Sequence, residues 1–263
     1  MIPASKASSD EGVEMQWYIA SFISHRQSSD KALSSVSARE YWCILKANSS
    51  DSAYSKALSL GEKVAGELVT QEGSEWALDG LSELLLILEP PAANSELAWV
   101  QEEVRPRELA SYVKKKDELR AFSTSTAANL SDWYVCKLVL VEVHDTGTHG
   151  DSLLLWTNWH LILATNAESA YSSAEELGRQ QASESGGHRC DGDRAHWEFK
   201  GLRDLIWTID PPIDGGKLWF EEIMVPPDHI AELIPSRSKL GVFDWERRQR
   251  GSGEFGRGSE TGR

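Results

Sequence analysis

Cysteine is scarce in this chain. Three occur in 263 residues, Cys43, Cys136 and Cys190, and no two stand in a Cys-x-x-Cys spacing. That excludes a disulfide framework and the recurrent zinc patterns. Cys43 and Cys136 lie in apolar runs and read as reduced, buried thiols of a cytoplasmic protein. Long apolar runs are missing as well. None approaches the ~20 residues of a membrane-spanning helix, and no charged-then-apolar signal segment opens the sequence. The glycines form no phosphate-binding loop, and neither a serine nucleophile elbow nor a metalloprotease helix signature occurs. Positive charge is in deficit, with 27 Lys and Arg against 41 Asp and Glu and a net charge of −14. A body this acidic repels phosphate backbones, which argues against nucleic acid as a partner. These absences point to no catalytic residue, no metal and no cofactor.

What is present is a duplication. Trp17-Tyr18-Ile19-Ala20 returns as Trp133-Tyr134-Val135-Cys136, and Trp42 returns as Trp159. Residues 47–61 return as residues 164–178 with 8 of 15 identical. Trp76 to Pro91 returns as Trp197 to Pro212, and Trp99 and Pro106 are matched to Trp219 and Pro226. A period of this size marks a repeated unit and precedes any other assignment of fold.

Each copy reads in one order. Two strands form a hairpin, Gln16 to Ser24 with Arg39 to Lys46 and Trp133 to Val143 with Leu154 to Leu163. Ser49 and Asn166 stand where helix N-caps belong. Ala53, Ala57, Leu60 and Val64 recur at helical spacing, as do Ala170, Ala174 and Leu177. A third strand holds Gly80 or Gly201, a bulge signal, and stops at Pro90-Pro91 or Pro211-Pro212. A fourth strand follows, Ala98 to Val104 or Leu218 to Val225. A closing helix is expected from Pro106 to Leu119 and from Pro227 to Leu240, with Pro235 ending or kinking the latter. The fold class is α+β: two repeated ββαββ units, each an antiparallel sheet with a helix on one face, plus a short C-terminal helix per unit. The divisions are a disordered tail at 1–14, the first repeat at 15–122, a linker at 123–130, the second repeat at 131–246 and a flexible Gly/Arg tail at 247–263. Whether the two sheets meet edge to edge or face to face is left open.

The pattern resembles a bacterial family, the domain of unknown function numbered 4288. The features that carry the resemblance are Trp17-Tyr18, Ala47, Leu60-Gly61 and Trp76 to Gly80. In the second copy they are Trp133-Tyr134, Ala164, Ala174-Glu175-Glu176-Leu177-Gly178 and Trp197 to Gly201. The resemblance implies the fold and carries no activity, ligand or site residue.

Polar clusters offer little chemistry. His144, Asp145, His149 and Asp151 crowd one hairpin tip, and His188, Cys190, Asp191, Asp193 and His196 another insertion; both read as solvated loops. Glu102-Glu103 and Glu221-Glu222 lie on strands, where neighbours face opposite ways. Lys114-Lys115-Lys116 reads as a solvated helix face.

Charge and tryptophan separate the copies. Residues 15–122 carry 12 basic and 16 acidic residues; residues 123–246 carry 9 and 20. The second copy adds Trp156, Trp207 and Trp245. The leading expectation is a non-enzymatic cytoplasmic protein-binding module, of the immunity or antitoxin kind, that meets a basic protein through Trp156, Trp159, His160, Trp207, Trp219 and Glu221. The alternative is a small-molecule binder or enzyme with a cleft between the repeats, using Trp159, His160, His196 and Glu221. A third reading is a structural subunit of a bacterial assembly. No membrane partner is expected, and the oligomeric state is open.

Overall fold

The computed structural model describes residues 14–27, 35–72, 74–123, 132–144, 152–184, 188–190, 193–244 and 247. The tails apart from Glu14 and Arg247, the inter-repeat linker beyond Ser123, residues 145–151 and Trp245 lie outside these, as do the side chains of His188, Cys190 and Asp193 and all of Asp191.

Alternation decides the layers. In β1 (Gln16–Arg26), Tyr18, Ala20 and Phe22 face one way and Ile19 the other. The first set packs under α1 (Ser50–Glu72) against Ala53, Ala57, Val64 and Leu68. In β5 (Trp133–His144), Tyr134, Cys136 and Leu138 pack under α4 (Ala167–Glu184) against Ala170 and Ala174, while Val135 faces away. The faces turned from the helices meet each other. Ile19, Trp42, Ile44, Val135, Trp159, Leu161 and Trp219 form one shared core. The order of layers is helix, sheet, sheet, helix.

The helices begin where their caps stand. Ser49 Oγ accepts the N–H of Ser52 at 3.2 Å, and Asn166 Oδ1 accepts that of Ser169 at 2.9 Å. Gly61 and Gly178 lie inside the helices, not at their ends. A Cβ there would approach Leu78 to 2.7 Å or Phe199 to 2.4 Å, so each glycine lets its helix settle onto the sheet.

Strand order departs from what chain order suggests. The other strands are β2 (Val36–Ala47), β3 (Trp76–Ile87), β4 (Glu96–Val104), β6 (Leu153–Leu163), β7 (His188–Cys190), β8 (Asp193–Trp207) and β9 (Lys217–Val225). One sheet runs β3-β1-β2-β9 and the other β4-β6-β5-β8-β7. Each fourth strand has crossed: β4 of the first repeat pairs with β6 of the second, and β9 of the second pairs with β2 of the first. Neither sheet is completed by its own repeat. The insertion before the third strand, read as a loop, supplies β7, hydrogen-bonded to β8.

The exchange also fixes the alignment of the repeats. Trp219 pairs with Trp42, and Ala98 pairs with the equivalent Trp159. Trp219 therefore corresponds to Ala98 and Phe220 to Trp99, one residue from the match that the tryptophans suggest. A one-residue slip reverses the face of a strand residue. Trp219 is accordingly 2% exposed and Trp99 53%.

The expected closing helices are broken. After β4 come a 3-10 turn at Pro106–Glu108, α2 (Leu109–Tyr112), a second turn at Lys116–Glu118 and α3 (Arg120–Ser123). After β9 come 3-10 turns at Pro227–Leu233 and Arg237–Lys239. The cause is docking. Val113 and Ile234 are extended, and they cover Gly201 and Gly80, whose φ angles are 136° and 155°. A Cβ on either glycine would stand 2.6 Å from Val113 or 2.8 Å from Ile234. A continuous helix could not lay these residues flat on the sheet that the preceding strand has joined. The lysine run is part of this docking, with Lys114 Nζ 3.1 Å from Asp204 and Lys116 paired with Glu168.

Candidate functional site

A cleft of about 710 Å³ opens between the two sheets. One wall is built on β2 and β9 and carries Glu40, Trp42, Phe220, Glu221 and Glu222. The other is built on β5, β6 and β8 and carries Lys137, Thr157, Trp159, Arg203 and Asp204, with Lys114 and Arg120 reaching in from the segment after β4. Three carboxylates thus stand on one wall. Four cations and one carboxylate stand on the other.

A bulge aims one of these groups, and the first repeat has its counterpart. The β1/β3 register skips Ser82 and the β5/β8 register skips Arg203, at equivalent places beside Gly80 and Gly201. An unpaired bulge residue can turn a side chain out of the regular alternation.

Lys137 is the most enclosed cation, with 13% of its side chain exposed. Its Nζ lies 4.4 Å from the centre of Trp159 and 5.1 Å from that of Trp219, and 3.9 Å from Glu221. Burial pushes its pKa down to about 8, Glu221 only partly opposing the loss of water. Asp204 is fully engaged. It accepts the backbone N–H groups of Arg120 and Leu205 at 3.2 and 2.9 Å, and Arg120 Nε at 2.7 Å. Burial disfavours its charge, but Arg120 and Lys114 outweigh that and hold its pKa below the ordinary value. Arg120 also reaches Glu221 at 2.8 Å, tying the two walls together. Arg203 stands 4.8 Å from the ring centre of Tyr112 and 3.5 Å from Glu102. Thr157 is 1% exposed, and its hydroxyl has no hydrogen-bond partner among the described residues.

Of the residues singled out in the sequence, Trp159, Trp219 and Glu221 converge around Lys137. His160, Trp156 and Trp207 do not. His160 turns to the helix side, where it donates from Nδ1 to the Asn94 carbonyl at 3.2 Å and accepts at Nε2 from Gln181 at 2.8 Å. Burial lowers its pKa to about 4, so it is a neutral structural side chain. Trp207 packs on Tyr134 at 6.0 Å. Trp156 stacks on Trp197 at 4.2 Å and meets Trp99 at 5.8 Å. His196 lies on β8 beside Glu198, outside the cleft. Among the described residues no three metal-ligating side chains gather, and no helix is long and apolar enough to cross a membrane. Cys43 and Cys136 are buried free thiols, with burial raising both pKa values, that of Cys136 to about 12.

Sequence reasoning missed Lys137, Thr157, Arg203, Asp204 and Arg120. One signal was available: Lys137 is the single charge in the run Trp133 to Val141, where the first copy has Ser21.

Fold and cleft together define a class: an α+β protein whose two sheets exchange strands around a charged cleft. Residues 133–219 match the model of the family described as a domain of unknown function, DUF4288, so that stretch of the second repeat is similar to a domain of that kind. The match holds Lys137, Thr157, Trp159, Arg203 and Asp204, and ends before Glu221. No curated protein and no solved structure matches the chain.

Proposed function

We propose that the chain binds a small polar molecule in the cleft between its sheets. The observation that carries this reading is the Thr157 hydroxyl, buried, unpartnered and lining a cleft of about 710 Å³. A buried polar atom left unpaired costs about 1–3 kcal/mol, and a ligand would relieve that cost. Aromatic walls with a few convergent polar groups are what small-molecule sites offer. Thermal denaturation of the full chain against a metabolite collection tests the reading. A ligand at 100 times its Kd should stabilise by about 2.7 kcal/mol, and Lys137→Met should abolish the shift. A collection in which no compound stabilises the wild type beyond Lys137→Met overturns it.

A second reading keeps a protein partner, a basic protein in the cytoplasm met as an immunity or antitoxin protein would meet it. It is favoured by Trp99, 53% exposed on edge strand β4 and followed by Glu102 and Glu103. Retention of a basic protein by the wild type, lost on Trp99→Ala, is the outcome it requires.

A further inference from the structure

The repeats can be laid on each other at the cleft. Trp42 pairs with Ser21 and Trp159 with Lys137; Glu40 pairs with Ile23 and Thr157 with Val139. Ser21 therefore corresponds to Lys137, Glu40 to Thr157, and the bulged Ser82 to the bulged Arg203. In the first repeat these positions form a closed hydrogen-bond set. Ser21 Oγ donates to Glu40 Oε1 at 2.6 Å, and Ser82 Oγ donates to the same oxygen at 2.8 Å. The carboxylate and its two donors satisfy each other within the protein.

In the second repeat every member of the set has changed, and in a consistent sense. The carboxylate is gone, replaced by the unpartnered Thr157 hydroxyl. Both hydroxyl donors have become cations. Those cations are only loosely matched by protein carboxylates: Lys137 stands 3.9 Å from Glu221, itself held by Arg120, and Arg203 stands 3.5 Å from Glu102. Two stronger donors thus surround a place from which the acceptor has been removed.

We propose that the cleft ligand carries a carboxylate, which sits in the second repeat where the Glu40 carboxylate sits in the first. Lys137 and Arg203 supply the charge, and the Thr157 hydroxyl donates to one carboxylate oxygen. The indoles of Trp42 and Trp159, both lining the cleft, pack against the apolar part of the molecule. Charge-assisted bonds of this kind are roughly twice as strong as neutral ones. The lowered pKa of Lys137 fits a cation that lacks a close anionic partner. The proposal rests on the cleft being the ligand site and adds the chemical class of what enters it.

The internal comparison supplies the test. Thr157→Glu puts the missing acceptor back, so the variant should carry its own ligand. Acetate and benzoate are titrated beside acetamide and benzamide, following the backbone amide signals of Lys137 and Thr157 by NMR. In the wild type the carboxylates should give saturable shifts and the amides none. Thr157→Glu should lose benzoate binding at least tenfold while melting at or above the wild-type temperature. Should Thr157→Glu not fold, Lys137→Gln carries the same expected loss. Equal response to benzamide and benzoate, or unchanged benzoate binding in the variant, overturns the assignment. Failure of the carboxylates alongside a stabilising compound from the metabolite collection sinks the carboxylate and leaves the cleft reading standing. Failure of both sinks the two together.

Discussion

The two repeats share their frame and differ at what faces the cleft. Glu83 accepts the N–H groups of Leu84 and Gly241, at 2.9 and 2.8 Å; Asp204 accepts those of Leu205 and Arg120 in the same way. The Gly80 and Gly201 bulges, the in-helix Gly61 and Gly178, and Trp42 and Trp159 correspond likewise. At the cleft, Lys137, Arg203, Thr157 and Arg120 stand where the first repeat has Ser21, Ser82, Glu40 and Gly241. One repeat has closed its polar groups upon one another, and the other presents them. The frame is therefore kept by carboxylates that accept backbone N–H groups and by close-packed glycines, and chemistry varies at positions the frame does not need.

The largest test breaks the comparison at the exchanged strands. Trp219→Ala removes a side chain that the second repeat lends to a core shared by both sheets. It should cost about 3–5 kcal/mol, and hydrogen exchange should accelerate in β1 and β2 of the first repeat as well as in the second. Loss of protection confined to the second repeat would show that the sheets fold as separate units.

A smaller effect sharpens a difference on the helix side, where His160 replaces Cys43 of the first repeat. Its folded pKa, about 4, lies below the ordinary 6.5. Between those values the unfolded chain binds the proton that the folded chain refuses, so stability falls as pH drops from 6.5 to 4. The loss is up to about 3 kcal/mol. His160→Cys should flatten that window in denaturant titrations at pH 4 to 7, with nothing changed in the slope above 6.5.

The smallest concerns Trp156, which corresponds to Arg39. Arg39 lies between Trp76 and Phe220, at 4.7 and 5.3 Å from their ring centres. Trp156 lies between Trp197 and Trp99. Trp156→Arg should reproduce the first repeat's stack and change stability by about 1 kcal/mol or less. A loss of several kcal/mol in chemical denaturation would mean that the two stacks are not interchangeable.

Local features were legible in the sequence because their causes are local. Ser49 and Asn166 cap, Gly80 and Gly201 mark bulges, and the alternation of Tyr18 and Ile19 separates two faces. The exchange of β4 and β9 left no such trace. A strand's apolar pattern is the same whichever sheet receives it. Trp99 and Trp219 looked equivalent because tryptophan is rare; pairing partners, not residue identity, set the register. Lys137 stood in plain view, but its meaning depends on Thr157 and Arg203, which only the folded sheet brings beside it.

The exchange has a consequence during synthesis. The outer edge of β2 waits for β9, roughly 170 residues further along the chain, which at about 5–20 residues per second takes roughly ten to thirty seconds. Through that interval the nascent first repeat carries an open edge from Val36 to Cys43, the segment later covered by β9. Bare edges recruit strands from other chains, and charged side chains are a common guard. Arg39 and Glu40 occupy the middle of that edge, so residues that end as cleft wall and ring stack also stand watch over a newborn chain until its partner strand arrives.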